Sequence, residues 1–269
     1  MRTAVCLSGQ PREVAETWQS FIHYLLANLP NPDVFIHTSQ EYKVPGEYWE
    51  IVQPKAYVIE PQHSFPEIEN ILANSRWSKA SQTPELRNSY LQDLWTQRSA
   101  WRLKEEHERL NGIKYDLLVR CRPDLIFLQP ITLSMLEAGK ICTLASPDMA
   151  HTPNEFAIGP NEAMSKWFTV FDWLSEYGLE WLNKDHPRLR YPPHGYFNTE
   201  KITMLCLCDF YGLRLGKCKF PPGSLSCEHP SRTNDSFYRI AYKRNWYEYD
   251  QGLIMAQNIN DFIYDPERQ

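Results

Sequence analysis

The stretch YDLLVRCRPDLIF, from Tyr115 to Phe127, decides how the chain is read. An apolar run meets a packet of charge at Arg120, Arg122 and Asp124 and then returns to apolar residues. A buried strand delivers polar groups to a site at its end in this way. Side chains alternate along an extended strand, so Arg120 and Arg122 share one side, and Pro123 offers a place for the chain to turn before Asp124. Two guanidinium groups beside a carboxylate suggest an anionic ligand, the alternative being an Arg–Asp pair that stabilises a loop.

Upstream, the pattern alternates as a parallel sheet requires. TAVCLS (3–8) reads as a strand, Glu13 to Leu29 as a helix, and DVFIH (33–37) and KAYVI (55–59) as two further strands. Pro61 to Pro84 is polar and reads as a surface excursion and a candidate lid. A long helix follows from Arg87 to Asn111, with Leu91, Leu94, Trp95 and Trp101 on one face and Gly112 closing it.

Downstream, a short helix is expected at Leu133–Ala138 and a strand over Lys140–Leu144. A helix follows whose Met164, Trp167, Phe168, Phe171 and Leu174 form a core stripe. A last helix from Thr199 to Tyr211, capped by Asn198 and stopped by Gly212, precedes a strand over Arg214–Phe220. The expected fold class is α/β: a single Rossmann-like domain over 1–269, with a mostly parallel sheet flanked by helices. Two halves are expected, 1–128 and 129–269.

Composition narrows the function classes. With 28 Lys plus Arg against 33 Asp plus Glu, the net charge of −5 provides no polyanion-binding footprint, so nucleic acid is not an expected partner and an anion must be bound locally. The opening MRTAVCLSGQPR is broken at Gly9, Gln10 and Pro11 before an apolar signal core can form. No segment approaches the roughly 20 apolar residues that span a bilayer. A cytoplasmic protein without a transmembrane segment is the expectation. Seven cysteines lack any C-x-x-C spacing and read as reduced structural thiols; Cys218, Cys227 and His229 make only an incomplete metal set.

In an open α/β sheet the ligand lies outside the carboxyl ends of the strands. The first strand ends in Ser8, Gly9, Gln10, Pro11 and Arg12, and the turn leads into a helix whose N–H groups favour anions. No G-K-[ST] follows and no G-x-G-x-x-G is present, which sets aside P-loop and dinucleotide-binding chemistry. His37 and Thr38 end the second strand beside that turn. Further along, Asp148, Asn154 and Glu155 are the polar residues near NEFAIG, and His194 sits in a loop shaped by Pro192, Pro193 and Gly195. Glu200, in the first turn of the last helix, suits the helix dipole.

By residue and position, YDLLVRCRPDLIF resembles the strand of nucleotide-sugar glycosyltransferases of the A-type fold that ends in an Asp-x-Asp metal motif. Arg122 stands where the first Asp usually stands. Together with the opening AVCLSGQPR, the R-x-RPD element is similar to a poorly characterised branch of those enzymes. The resemblance implies a glycosyltransferase moving a sugar from a nucleotide-diphosphate donor to a glycan or small hydroxyl acceptor. It makes 1–128 the nucleotide-binding half and 129–269 the acceptor-side half, and implies that Ser8, Gly9, Gln10 and Arg12 hold the nucleotide, with Arg12 reaching a phosphate. His37, by its place at the end of a buried strand, is read as a hydrogen-bonded structural residue with a weak contact role. Arg120, Arg122 and Asp124 would meet the diphosphate. Departing diphosphate must be neutralised by a divalent metal or by fixed cations, so Asp124 is the candidate ligand for Mn²⁺ or Mg²⁺ and the two arginines are the metal-independent alternative. Asp148, Glu155 and His194 are the candidates to take a proton from the acceptor. A nucleotide-sugar or phosphate-binding protein without turnover, and a protein-interaction module using the Tyr- and Trp-rich carboxyl end, are the competing readings.

Overall fold

The computed structural model describes residues 1–11, 14–75, 83–127, 129–143, 154–184 and 199–218, apart from the side chains of Leu179 and Lys217. Seven strands, β1 (Thr3–Ser8), β2 (Pro32–Thr38), β3 (Ala56–Ile59), β4 (Leu117–Cys121), β5 (Ile141–Thr143), β6 (Phe156–Pro160) and β7 (Leu215–Lys217), form one sheet. Their order is β3-β2-β1-β4-β6-β5-β7. The first four in that order run parallel, and β5 and β7 also pair in parallel; β6 runs antiparallel to both β4 and β5. This is an α/β fold with a mostly parallel, helix-flanked sheet.

Two-residue periodicity divides the core. Val5, Leu7, Val34, Ile36, Val119 and Cys121 face one side, against Trp18 of α1 (Val14–Ser20) and Tyr48 of α2 (Gly46–Val52). Ala4, Cys6, Phe35 and Leu118 face the other, against Ala100 of α4 (Pro84–Asn111) and Met164, Trp167 and Phe168 of α5 (Asn161–Phe168). A third apolar cluster joins Leu72 of α3 (Pro66–Asn74), Leu91 and Leu94 of α4, Val170 and Leu174 of α6 (Val170–Asn183), and Ile202 of α7 (Thr199–Met204). The aromatic stripe expected around Met164–Leu174 is buried throughout.

Several boundaries differ from the sequence expectation. The segment after Pro61 holds α3, whose Leu72 is buried against α4 and α6 with Phe65, Ile68 and Ile71 packed around it. α4 begins three residues early, because Thr83 caps it by accepting from the Leu86 N–H and Pro84 takes the first turn. The expected 133–138 helix is a single 3₁₀ turn, Leu133–Met135. The helix expected through Met164–Leu174 breaks at Thr169, whose hydroxyl donates back to the Ser165 and Lys166 carbonyls. The first helix and the last continue beyond α1 and α7 as π turns, Phe21–Leu25 and Leu205–Phe210. Asn198, the expected cap, lies outside the described residues.

Two features fix β4 in place. At the foot of α4, the carboxylate of buried Glu108 accepts from the Tyr115 N–H at 2.8 Å, Lys114 Nζ at 3.0 Å and fully buried Lys104 Nζ at 3.2 Å. The buried charge is thus compensated at the entry to the strand. On the other side β6 carries Gly159, where an added Cβ would meet the Lys140 carbonyl at 2.9 Å. Only glycine lets β5 approach this closely.

Candidate functional site

The chain leaves β1 towards β2 and β3 and returns on the opposite side as β4. The topological switch point therefore lies between β1 and β4, where a crevice opens outside the carboxyl ends of open α/β sheets. The polar segments of the sequence converge there. Gly9, immediately after β1, adopts φ of 114°, a backbone state that suits glycine. Thr38 Oγ1 at the end of β2 donates to the Gly9 carbonyl at 3.2 Å and to the Gln40 carbonyl at 3.0 Å, joining the two loops.

β4 ends at Cys121, well short of Phe127, and the chain turns at Pro123–Asp124. The turn is held to the helix after β1: Thr17 Oγ1 donates to the Pro123 carbonyl at 2.7 Å, and the Phe127 N–H donates to Ser20 Oγ at 3.0 Å. Turning swings Asp124 back onto Arg122. The guanidinium grips both carboxylate oxygens, at 2.8 and 2.5 Å, and the Asp124 side chain is only 1% exposed. Burial works against the Arg122 charge, but the Asp124 carboxylate outweighs it and pushes the arginine pKa up.

Arg120 does not reach the cleft. It is fully buried behind the wall, with Nη1 donating to the Glu155 carbonyl at 3.0 Å and Nη2 to Asp93 Oδ1 at 3.2 Å. Burial pulls its pKa down, and Asp93 opposes this. The Arg122 N–H donates to the same Glu155 carbonyl at 3.0 Å, while Asn154 Nδ2 donates to Asp93 Oδ2 at 2.8 Å. Arg120 therefore rivets α4 to the end of β4 and to the segment leading into β6.

The resulting cleft has a volume of about 550 Å³, within the range of small-ligand sites. Gly9, Gln10 and Ser39 line it from the β1 and β2 ends, and Arg122 from β4. Asn88, Gln92, Asp93 and Thr96 of α4 form one wall, and Asn154, Thr199 and Glu200 complete the lining.

Among residues proposed from sequence, Gly9, Gln10, Arg122, Asn154 and Glu200 meet in this cleft. Ser8 lies fully buried at the end of β1, its Oγ without a hydrogen-bond partner among the described residues. His37 is buried and pairs with Glu60 through Nε2 at 3.1 Å, so it acts as a strand-end anchor. Glu155 is buried at 2% exposure and serves the site through its main-chain carbonyl. Arg12, Asp148 and His194 lie outside the described residues, as do Cys227 and His229. The sequence reading missed Asp93, Asn88 and Gln92. Their signal was present in RNSYLQDLWTQ, where the polar face of α4 carries carboxamides instead of the Lys and Glu that crowd its last turns.

No protein-family model matches this chain, and no curated protein does.

Among the described residues the cleft is cationic at Arg122 and acidic, amide or hydroxyl elsewhere. As a ligand for Mn²⁺ or Mg²⁺, Asp124 is poorly placed in this arrangement, because the Arg122 guanidinium holds both its oxygens and the side chain is buried. No group of three or more His, Cys, Asp or Glu side chains among the described residues could hold an ion. The residues described do not fit a divalent cation. No helix among the described residues is long and apolar enough to cross a membrane.

Proposed function

We propose that the protein is a glycosyltransferase that moves a sugar from a nucleotide-diphosphate donor to a glycan or small hydroxyl acceptor. The observation that carries the reading is the position of Arg122, which enters a cleft at the β1/β4 switch point beside Gly9 and Gln10. Asp124 takes the Nε–Nη2 edge of the guanidinium, and in this reading the Nη1–Nη2 edge meets the diphosphate. Charge that develops on the departing diphosphate needs such a preorganised partner. The resemblance of the R-x-RPD and AVCLSGQPR segments to nucleotide-sugar transferases supports the same assignment. In this reading Arg122 performs the neutralisation, and Asp124 holds it ready.

The test is a thermal-shift screen with UDP-, GDP-, CMP- and dTDP-sugars, each with and without Mn²⁺ or Mg²⁺. A ligand that binds only the folded state raises the melting temperature by mass action. Stabilisation by one donor class, followed by sugar transfer or hydrolysis of that donor, is the expected result. The buried Arg122–Asp124 pair favours one alternative, a binder without turnover. Binding by wild type with no turnover on any acceptor would establish that reading instead.

A further inference from the structure

At the β2/β3 side of the cleft, a single residue orients two carboxamides. The His63 N–H donates to Gln92 Oε1 at 2.9 Å, and Asn88 Nδ2 donates to the His63 carbonyl at 3.3 Å. The two amides stand one turn apart on the same face of α4, and both line the cleft. Because a main-chain N–H can only donate and a carbonyl only accept, neither amide is free to flip. The arrangement leaves Gln92 Nε2 as a fixed donor and Asn88 Oδ1 as a fixed acceptor. The loop that sets them is itself anchored: Glu60 Oε2 accepts from His37 Nε2 on β2 and from His63 Nε2 at 3.3 Å.

We infer that Asn88 and Gln92 read the hydrogen-bonding edge of the donor's nucleobase, an inference that rests on the nucleotide-donor reading above. A base fits the pair better than a sugar on two counts. A base edge presents donors and acceptors of fixed polarity, which a fixed donor–acceptor pair can match or reject, whereas a hydroxyl adapts to either. The pair also stands beside the β1-β2-β3 half of the sheet, the mononucleotide-binding unit of doubly wound folds. Arg122 lies towards β4, so the base and the diphosphate extend along the cleft in that order.

The experiment is calorimetric titration of UDP, CDP, GDP, ADP, inorganic pyrophosphate and the matching nucleotide sugars. It compares wild type with Gln92→Met and, independently, Asn88→Leu. Wild type should separate its best base from its worst by roughly tenfold or more, the scale of a bidentate base contact. Each variant should compress that preference to within about threefold, with pyrophosphate affinity unchanged. Base preference that survives both substitutions overturns the inference, as does a loss confined to nucleotide sugars, which would assign the pair to the sugar. Diphosphate binding without base preference in wild type overturns this inference alone. Absence of any diphosphate binding overturns the donor reading with it.

Discussion

Arg122 and Asp124, two residues apart in sequence, close a bidentate ion pair at the end of β4 because Pro123 turns the chain between them. The carboxylate is buried and the guanidinium is about one-fifth exposed. Removing the arginine therefore strands a buried charge. Arg122→Ala should destabilise the fold by about 3 kcal/mol, the lower end for breaking a buried pair, and lower the melting temperature by several degrees. Asp124→Asn should cost less, since it leaves the cation with access to solvent and to the cleft. Thermal melts of the two variants check the ordering.

Acid sensitivity should come from the Glu60 cluster. Burial is the main cause that holds the His37 pKa below 6.5, against the opposing pull of Glu60. Burial works to raise the Glu60 pKa, but hydrogen bonds from His37 and His63 outweigh it, and the value lies below 4.5. Both folded-state values are depressed, so the unfolded chain binds more protons on acidification and stability falls as pH falls. The His37 contribution is complete above about pH 6.5 and is lost as pH drops through its folded value. Melting temperature should be flat from pH 7 to 8 and decline below about 6.5, and His37→Gln should flatten the upper part of that decline.

Gly159→Ala tests the packing of the antiparallel strand. The new methyl would press on the Lys140 carbonyl at 2.9 Å and on Ile141 Cα at 3.0 Å, both main-chain atoms that cannot rotate away. A loss of about 1–3 kcal/mol is expected from overpacking, measurable by urea denaturation with an unchanged m-value.

The sheet thiols should be inert. Burial pushes the Cys6 thiol up to about 12 and raises that of Cys121 as well, so neither forms appreciable thiolate at neutral pH. Peptide-level mass spectrometry after iodoacetamide at pH 8 should find both unlabelled in native protein and labelled in urea.

Much of the sheet was legible because its strands are short apolar runs between turn residues. TAVCLS, DVFIH, KAYVI and KICTL all appear as strands within a residue or two of the expected positions. The direction of β6 was not legible, since FAIGP has the same composition whether it runs parallel or antiparallel. In the cleft, strand-end logic found Gly9, Gln10 and Arg122. It overestimated Arg120, His37 and Glu155, because a polar residue at a strand end can turn inward to brace the wall as readily as outward to a ligand. Asp93 was missed for the converse reason: a polar helix face reads as solvated until tertiary packing sets it against Arg120 and Asn154.

The most direct test of the central claim is titration of nucleoside diphosphates and inorganic pyrophosphate into wild type and Arg122→Gln, with the fold of each confirmed by its melting transition. Wild type should bind at least one nucleoside diphosphate, and the folded variant should lose roughly tenfold or more in affinity for it and for pyrophosphate alike, as removal of a charge-assisted bidentate contact requires. Equal affinity in the two proteins, or no binding by wild type near millimolar concentration, would contradict the account.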